Sequence, residues 1–321
     1  MSTRPLRVLL TGANGCVGRA VLARAAREPG RWEIVAVHRG EAPPAGAGVT
    51  PLRATLEELP GRLGDAGPVD VCIHAAAAVH GSAPDAAGFF AVNRDQTLAL
   101  ADALAGRAGF RRFVFVSTVA VLEQAGREDP TPYAASKRAA EDALAARAAA
   151  GAFALAVLRL GTVHGPADRG NLGALFRAVA RRRYLRLAPP GTPKTLVSSR
   201  RVAAAALLAA SVDDLPAGPW LVADGAPYPL REVEDALAAA AGVPPPPRLP
   251  APLGWGLSAA GSVLAMAGLP APLTLGRLKT LARPVAYHPE PAAGPLAEAL
   301  RAADTRTLAE AFRDAYVRGV D

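Results

Sequence analysis

Residues 11–18 read Thr-Gly-Ala-Asn-Gly-Cys-Val-Gly and directly follow an apolar run, Leu6–Thr11, that predicts a β-strand. Glycines at positions 12, 15 and 18 let the backbone turn tightly and approach a diphosphate at the amino terminus of the next helix. The alternative is a glycine-rich turn without a ligand, but this pattern also opens a helix, as diphosphate binding requires. We therefore expect a dinucleotide to contact Gly12, Asn14, Gly15, Cys16, Val17 and Gly18.

The first half of the chain alternates short β-branched runs with longer alanine- and leucine-rich stretches, which is typical of a parallel sheet wrapped by helices. The unbroken apolar character of Val114-Phe115-Val116 fits a strand that is covered on both faces. Strands are predicted at Leu6–Thr11, Glu33–His38, Val49–Arg53, Val69–His74, Arg112–Ser117 and Phe153–Leu160. Helices are predicted at Cys16–Glu28, Ala86–Ala108 and Pro132–Ala150.

After Gly165 the pattern becomes mostly helical, with helices predicted at Asn171–Arg183, Arg200–Ala210 and Leu230–Ala241 and a strand at Trp220–Ala223. We predict an α/β fold, a doubly wound parallel sheet of the Rossmann type with a smaller, mostly helical C-terminal substrate lobe. The Rossmann domain would comprise residues 1–165, with 196–225 returning to it. The substrate lobe would comprise residues 166–195 and 226–321.

A strongly apolar segment, Pro252–Leu269, follows the proline run Pro244–Pro247. It stops at Pro270 and is short for a helix that spans a bilayer. We expect a core or pocket-lining helix. The alternative is a peripheral, in-plane contact with a membrane surface.

The chain carries a net charge of +8, almost all of it from arginine, since Lys137, Lys194 and Lys279 are its only lysines. A basic excess suits nucleic acid, an anionic membrane surface or a phosphorylated substrate. No aromatic-rich basic stripe or DNA-binding motif accompanies it, so nucleic acid is not an expected partner. The run Arg181-Arg182-Arg183 is either the solvated end of a helix or a site for substrate phosphates.

The two cysteines, Cys16 and Cys72, have neither metal-ligand nor redox spacing, so no metal site is predicted. Both lie within apolar runs, which indicates buried free thiols in a reducing compartment. The start, Met1 to Arg7, lacks the apolar stretch of a signal peptide. The expected location is the cytoplasm.

The second predicted strand ends in Val37-His38-Arg39, where NAD-binding Rossmann domains usually place an acid for the ribose 2′-hydroxyl. No acid stands there. Arg39, with His38 beside it, would meet a 2′-phosphate, which slightly favours NADP over NAD. The alternative is that Arg39 is solvent-exposed and the adenosine end is bound by other residues.

Tyr133 and Lys137 are four residues apart, so a helix places the phenol and the ammonium on one face. A nearby cation lowers the pKa of a phenol, which would let Tyr133 act as a general acid or base near neutral pH. Lys137 would also hold the nicotinamide ribose. A chance pair on a surface helix is the alternative.

Two hydroxyls, Ser117 and Thr118, end the predicted strand upstream of this pair. At the carboxyl end of a strand such a hydroxyl faces the ligand crevice of a doubly wound sheet. Thr118 would donate a hydrogen bond to a substrate carbonyl or alkoxide. Helix capping or turn formation is the alternative for either hydroxyl.

Taken together, these motifs resemble the extended short-chain dehydrogenase/reductases, and more narrowly their nucleotide-sugar epimerase/dehydratase branch. Leu249-Pro250-Ala251-Pro252-Leu253 is similar to bacterial sugar 4-epimerases and reductases of surface-polysaccharide pathways, some of which act on polyprenyl-diphosphate-linked sugars. The resemblance rests on the glycine loop, Ile73-His74-Ala75-Ala76-Ala77, Asn93 with Thr97, Ser117-Thr118, Tyr133 with Lys137, Arg159, His164-Gly165-Pro166, Arg169-Gly170-Asn171 and Leu196-Val197-Ser198.

The resemblance implies that Tyr133 is the catalytic acid/base, that Lys137 tunes it and that Thr118 is the hydroxyl partner. His74 is expected to be a packed, hydrogen-bonded residue, and His164 is given no catalytic role. Cofactor contacts are implied for Ala75, Ala76, Ala77, Asn93, Ser117, Tyr133 and Lys137, with Asn93 also holding neighbouring elements in place. Substrate contacts are implied for Thr118, Asn171, Arg177 and Lys194, with Asn171 approaching the substrate diphosphate.

One departure from the branch narrows the chemistry. Sugar 4,6-dehydratases carry an acidic pair directly after the threonine, whereas this chain has Val119-Ala120, which cannot move protons, so dehydration is disfavoured. The leading hypothesis is an NAD(P)-dependent 4-epimerase or 4-ketoreductase of a nucleotide-sugar or lipid-diphosphate-linked sugar. The resemblance also implies a homodimer joined by Ala86–Ala108 and Pro132–Ala150.

Two alternatives from other classes stay open. One is an NADP-dependent dehydrogenase or reductase of a non-sugar alcohol or ketone, which the apolar, proline-rich C-terminal region suggests. The other is a non-catalytic dinucleotide-binding protein, against which the hydroxyl, tyrosine and lysine set argues.

Overall fold

A parallel sheet of seven strands forms the centre of the computed structural model, in the order β3-β2-β1-β4-β5-β6-β10. The structure describes residues 4–44, 46–79, 85–123, 125, 130–168, 170–213, 218–266, 274–288, 300 and 302–318. The sheet strands are β1 (Leu6–Thr11), β2 (Trp32–His38), β3 (Val49–Arg53), β4 (Val71–His74), β5 (Arg112–Thr118), β6 (Ala154–Leu160) and β10 (Trp220–Val222).

Short strands and helices complete the described part of the chain. Two-stranded sheets pair β7 (Thr162–His164) with β9 (Leu196–Ser198), and β8 (Pro193–Lys194) with β11 (Tyr228–Pro229). The helices are α1 (Cys16–Ala25), α2 (Ala86–Phe90), α3 (Thr97–Ala105), α4 (Ala120–Glu123), α5 (Pro132–Ala149), α6 (Asn171–Ala180), α7 (Ser199–Ser211), α8 (Leu230–Ala241), α9 (Ala251–Met266), α10 (Leu275–Ala282) and α11 (Leu308–Arg313).

Neighbouring residues of each strand point to opposite faces of the sheet, and helices bury both faces. On one face, Leu10 and Val114 pack with α1 and the alanine-rich α7. On the other face, Phe113 and Phe115 pack with α3 and α5. The predicted doubly wound Rossmann fold is confirmed.

A third apolar cluster lies in the mostly helical C-terminal region, where Phe176 of α6, Leu237 of α8 and Phe312 of α11 pack together. β10 pairs in parallel with β6 and so returns to the main sheet. The C-terminal helical region is therefore confirmed, while the boundaries of the two domains remain predictions.

The predicted helix Ala86–Ala108 is divided into three parts. α2 is followed by a π-helical stretch, Ala91–Gln96, and then by α3. The wider π turn contains Asn93, which is buried and hydrogen-bonded on the inner side. A π turn inside a helix is often found at a functional site.

The apolar segment was expected to form a core or pocket-lining helix; the core alternative is wrong, and the pocket-lining alternative remains a prediction. α9 occupies most of the predicted range, and the rest of that range, 267–273, lies outside the described residues. Several large apolar side chains of α9 face outward: Leu257 is 51% exposed, Val263 61% and Met266 80%. Within the described ranges, none of the helices combines the length and apolar character needed to cross a bilayer.

Candidate active site

The carboxyl ends of β1, β4 and β5 meet at one edge of the sheet, and the candidate active site lies there. Thr11, His74 and Thr118 end these three strands. In open α/β sheets this edge, at the point where the strand order reverses, is where ligands bind.

The glycine loop between β1 and α1 requires its glycines for different reasons. Gly12 has a φ of +70°, and a Cβ there would lie 2.8 Å from the backbone nitrogen of Ala76. A Cβ on Gly18 would lie 2.2 Å from the carbonyl oxygen of Gly12. A Cβ on Gly15 would meet only that same oxygen, at 3.2 Å. Gly12 and Gly18 thus allow close packing, while Gly15 leaves open space at the amino terminus of α1.

This geometry fits the diphosphate of a dinucleotide. Gly15 is the N-cap of α1, and its cap receives no side-chain hydrogen bond from the described residues. A helix amino terminus with open N–H groups and a glycine beside it suits an anionic ligand. Cys16 begins α1, and burial raises the pKa of its thiol to about 12, which keeps it neutral.

His74 is buried between two hydroxyls. Its Nδ1 lies 3.0 Å from Thr11 Oγ1, and its Nε2 lies 3.0 Å from Thr97 Oγ1. Burial, together with the charge of Lys137, lowers the pKa of His74 to about 3. Thr11 Oγ1 also accepts a hydrogen bond from the Ala76 N–H at 3.2 Å. His74 is therefore a neutral residue that fixes the start of the 75–77 loop.

Asn93 fastens that loop to α5. Its Oδ1 accepts a hydrogen bond from the Ala78 N–H at 2.8 Å, and its Nδ2 donates to Ala78 O and Ser136 Oγ, each at 3.1 Å. Both amide protons and one oxygen lone pair are thus engaged inside the protein. Asn93 therefore holds the loop and α5 together, and a direct contact between Asn93 and a cofactor remains a prediction.

Tyr133 lies in the first turn of α5, where Pro132 and the Thr131 cap start the helix. Its side chain is hydrogen-bonded to Thr118, and its ring packs edge-on against Phe89 with the ring centroids 6.2 Å apart. Burial raises the pKa of Tyr133, and the hydrogen bond with Thr118 partly offsets that rise. The pKa of Tyr133 is thus raised in the structure, whereas the sequence predicted that it would be lowered.

Lys137 lies one turn further along α5 and is 3% exposed. Its Nζ donates a 2.8 Å hydrogen bond to the Val116 carbonyl and lies 4.4 Å from the centroid of the Phe115 ring. Burial lowers the pKa of Lys137 to about 7, against the opposing effect of Glu141. This lysine can therefore change its charge close to neutral pH.

Ser117 lies in a buried charged network and not at the open crevice. Its hydroxyl donates to Glu141, whose other oxygen pairs with Arg159 Nη2 at 2.5 Å. The expected direct contact between Ser117 and a cofactor remains a prediction. Sequence reasoning missed Glu141, although its spacing of four from Lys137 and eight from Tyr133 places all three on one helix face.

His38 and Arg39 were both expected to contact the adenosine part of a cofactor, and the structure places them in different environments. His38 is buried, and its Nδ1 lies 2.9 Å from the Gly40 carbonyl oxygen. Arg39 is exposed and makes no hydrogen bond or ion pair with another described residue. Asn14 is hydrogen-bonded to the Glu41 carbonyl at 2.7 Å. Of these two residues, Arg39 is the exposed one.

The expected substrate residues fall into two groups. Asn171 and Arg177 are exposed on α6, whose amino terminus is capped by the Asp168 carboxylate. Lys194 lies on β8, where its Nζ donates to the Arg283 carbonyl at 2.8 Å and burial lowers its pKa to about 8. Glu123 of α4 acts electrostatically on Lys194. Lys194 therefore lies near α4, the helix that follows Thr118. Arg169, next to Asn171 in the same sequence motif, is outside the described residues.

Comparisons with known proteins agree with this architecture. A model of the NAD dependent epimerase/dehydratase family matches residues 8–215. MoeE5, solved with UDP-glucuronic acid and NAD, is 27% identical with a TM-score of 0.63, covering 76% of this chain and 86% of that one. The comparison with curated proteins finds no significant match.

Two further solved structures share the fold. The UDP-glucose 4-epimerase of the hyperthermophilic eubacterium Thermotoga maritima, solved with UDP-glucose, is 19% identical with a TM-score of 0.64. It covers 76% of this chain and 86% of its own length. The protein gox2253 is 22% identical with a TM-score of 0.69 and covers 96% of both chains. Because the family model covers more than half of the sequence, the chain belongs to the NAD-dependent epimerase/dehydratase family of extended short-chain dehydrogenase/reductases.

Proposed function

We propose that the protein is an NAD(P)-dependent nucleotide-sugar 4-epimerase or 4-ketoreductase in which Tyr133 is the acid/base. The observation that carries the proposal is the hydrogen bond between Tyr133 and Thr118 at the carboxyl end of β5. It joins a proton-transfer group to an orienting hydroxyl at the edge of the sheet where a Rossmann ligand binds.

In the proposed reaction Tyr133 removes the proton of the sugar 4-hydroxyl, and Thr118 holds the same oxygen. A bound nicotinamide cofactor would accept a hydride from sugar C4 or donate one to it, and its oxidised, positively charged form would favour ionised Tyr133. In epimerisation Tyr133 would return the proton to the 4-oxygen once C4 has been inverted. In reduction of a 4-keto sugar Tyr133 would give its proton to the new 4-hydroxyl.

Thr118 is suited to its role by its local geometry. Its Oγ1 accepts a hydrogen bond from the Ala120 N–H at 3.2 Å, which leaves the hydroxyl proton available to donate toward Tyr133 or a substrate oxygen. Val119 and Ala120 supply no proton-transfer group beside it. This supports hydride transfer without elimination of water.

Lys137 is proposed to favour the ionised form of Tyr133 and to hold the nicotinamide ribose. Its Nζ has three protons, of which the contact with the Val116 carbonyl uses one. The cofactor diphosphate would be held by Gly12, Gly15 and Gly18. The loop from Ala75 to Ala77 would line the cofactor. Arg39 favours NADP over NAD. The NAD in the MoeE5 structure supports the dinucleotide but not that preference.

Asn171, Arg177 and Lys194 are proposed to bind the substrate, with Asn171 approaching its diphosphate. The cations of Arg177 and Lys194 suit a substrate that carries negative charge. A lipid-diphosphate-linked sugar is the second candidate substrate, and the observation that favours it is the exposed apolar side of α9 in the same lobe. We place the reaction in the cytoplasm, which suits the two free cysteines.

We also propose that the protein is a homodimer joined by Ala86–Ala108 and Pro132–Ala150. A groove of about 530 Å³ runs beside these helices and is lined by Phe90, Val121, Ala135 and Ala139 among others. An apolar groove next to two packed helices suits the helices of a second copy. Ala139→Glu should convert the dimer to a monomer in sedimentation velocity experiments.

The decisive experiment is incubation with a panel of UDP- and dTDP-sugars and NAD or NADP, followed by NMR of the anomeric protons. A new 4-epimer without net change in the cofactor identifies an epimerase. Stoichiometric NADPH consumption with a 4-keto sugar identifies a reductase. Turnover of steroids or aldehydes, and of no sugar nucleotide, would instead identify a dehydrogenase of non-sugar substrates.

Tyr133→Phe should lower turnover by about a thousandfold, because a positioned acid/base contributes roughly a hundred- to ten-thousandfold. The matched control is Tyr228→Phe, which removes a half-buried hydroxyl from β11. Unchanged turnover by Tyr133→Phe would refute the assigned acid/base, whichever substrate is found.

A further inference from the structure

Helix α9 has an unusual distribution of side chains. Its buried positions, Gly254, Ser258 and Gly261, are small, and they follow the spacing of one helix face. Five large apolar side chains of this helix are exposed: Leu253 is 59% exposed, and the others are Leu257, Val263, Leu264 and Met266. A helix of a water-soluble protein has the opposite arrangement, with its apolar stripe against the core.

The serines of α9 do not make it more polar. Ser258 Oγ donates to the Gly254 carbonyl at 2.7 Å, and Ser262 Oγ donates to the Ser258 carbonyl at 2.9 Å. Residues 249–276 contain no charged side chain. The outer side of α9 is therefore apolar along its length, which marks an interaction surface.

Exposed cations precede and follow this helix along the chain. Arg248 precedes the uncharged segment, and Lys279 lies on α10, which packs against α9. The Leu249 N–H donates to the Arg186 carbonyl at 3.1 Å, so the entry to α9 runs beside the chain that leaves α6. Three exposed arginines, Arg181, Arg182 and Arg183, stand just before that point.

We propose that the outer side of α9 docks on the surface of an anionic lipid bilayer, with α9 in the plane of the interface. Sixteen residues span about 24 Å as a helix, which is shorter than the hydrocarbon core of about 30 Å. An in-plane helix buries its apolar side at the boundary between head groups and acyl chains. The surrounding arginines and Lys279 then meet the negative head groups.

Charge selects lipid over a second copy of the chain as the occupant. A symmetric dimer through α9 would bring the same cations of both copies together, and such like-charge contacts are unfavourable. Anionic head groups neutralise the same cations. This inference concerns attachment alone and does not depend on the proposed reaction.

The test is flotation of the full chain with phosphatidylcholine vesicles that contain or lack phosphatidylglycerol, at low and high salt. Wild type should float with the anionic vesicles and less so at high salt. Leu257→Glu with Val263→Glu should reduce the bound fraction about tenfold or more, since each change places a charge among apolar chains. Val317→Glu, which changes an exposed valine far from α9 in sequence, is the matched control.

Arg181→Glu with Arg183→Glu should also lose binding to the anionic vesicles, whereas Arg24→Glu with Arg27→Glu, an equal change in net charge at and just beyond the carboxyl end of α1, should retain it. Circular dichroism shows that each variant is folded. The proposal is overturned if wild type does not float with anionic vesicles at low salt. It is also overturned if the Leu257 and Val263 variant floats like wild type, or changes only the oligomeric mass.

Discussion

The Lys137 ammonium donates a 2.8 Å hydrogen bond to the carbonyl oxygen of Val116, one residue before the strand ends in Ser117-Thr118. This contact joins α5 to β5 by a charge that is almost completely buried. Burying a charge costs free energy unless it is paired, and Glu141 acts on Lys137 without any direct contact between them in the structure. The burial of the Lys137 ammonium therefore lowers the free energy of unfolding.

Lys137→Met should therefore raise the free energy of unfolding by about 2 kcal/mol at neutral pH. The pKa falls from 10.5 to about 7 on folding, because burial disfavours the ammonium. Each pKa unit corresponds to about 1.4 kcal/mol, and the unpaired Val116 carbonyl in the variant offsets part of the gain. Urea denaturation of wild type and variant measures the difference.

The stability gained by Lys137→Met should decrease as pH rises above 7. Between pH 7 and 10.5 the unfolded lysine holds its proton and the folded lysine has released it, so the stability of wild type rises with pH in this range. The advantage of Lys137→Met should be largest at or below pH 7 and shrink toward pH 10. Lys279→Met changes an exposed lysine and should show no such trend. A destabilised Lys137→Met at pH 7 would contradict the argument.

Glu141→Gln should move the alkaline limb of the kcat/KM profile to lower pH. The Glu141 carboxylate raises the pKa of Lys137, so its removal lowers that pKa and the ammonium is lost sooner as pH rises. The variant should also lose roughly 2 kcal/mol of stability, because the buried Arg159 guanidinium would then face a neutral amide instead of the Glu141 carboxylate.

Asp142→Asn is the matched control for that prediction, since Asp142 is the next residue along α5 and pairs at the surface with Arg138. It should leave the pH profile unchanged. An alkaline limb that stays in place in Glu141→Gln would show that Glu141 serves the fold alone.

The sequence predicted the residues whose role depends on local spacing. The glycine loop, the pair Tyr133 and Lys137, and the strand that ends at Thr118 each lie within a few residues, so periodicity and turn chemistry are enough to place them. Glu141 shares their helix face but meets Ser117 and Arg159 only when β5 and β6 pair. The sequence does not predict that the apolar side of α9 faces outward, because composition does not show which face a helix presents.

Gly15→Ala and Gly12→Ala should separate cofactor binding from folding. A Cβ on Gly15 meets only the Gly12 carbonyl oxygen, at 3.2 Å, so the fold should tolerate alanine while the space for a diphosphate is reduced. We expect the affinity for NAD and NADP to fall about tenfold or more, with a change in Tm of only a few degrees.

At Gly12, alanine would be strained by a φ of +70° and would press on the backbone of Ala75 and Ala76. Gly12→Ala should therefore destabilise the fold by roughly 2 kcal/mol or more. Isothermal titration with both cofactors and thermal denaturation distinguish the two variants. A Gly15→Ala protein that binds dinucleotide like wild type would remove the glycine loop from the proposed cofactor site.

Arg39→Ser should change the choice between the two cofactors. Arg39 is exposed beside the end of β2, whereas His38 is buried and hydrogen-bonded to the Gly40 carbonyl. A charged hydrogen bond to a phosphate contributes about 1.5–3 kcal/mol, so the Kd for NADP should rise at least about tenfold while the Kd for NAD changes little. Arg27→Ser, just beyond the carboxyl end of α1, controls for the loss of one surface charge. Equal losses for NAD and NADP would mean that Arg39 contacts the shared part of the dinucleotide, and the preference for NADP would then have no support in this chain.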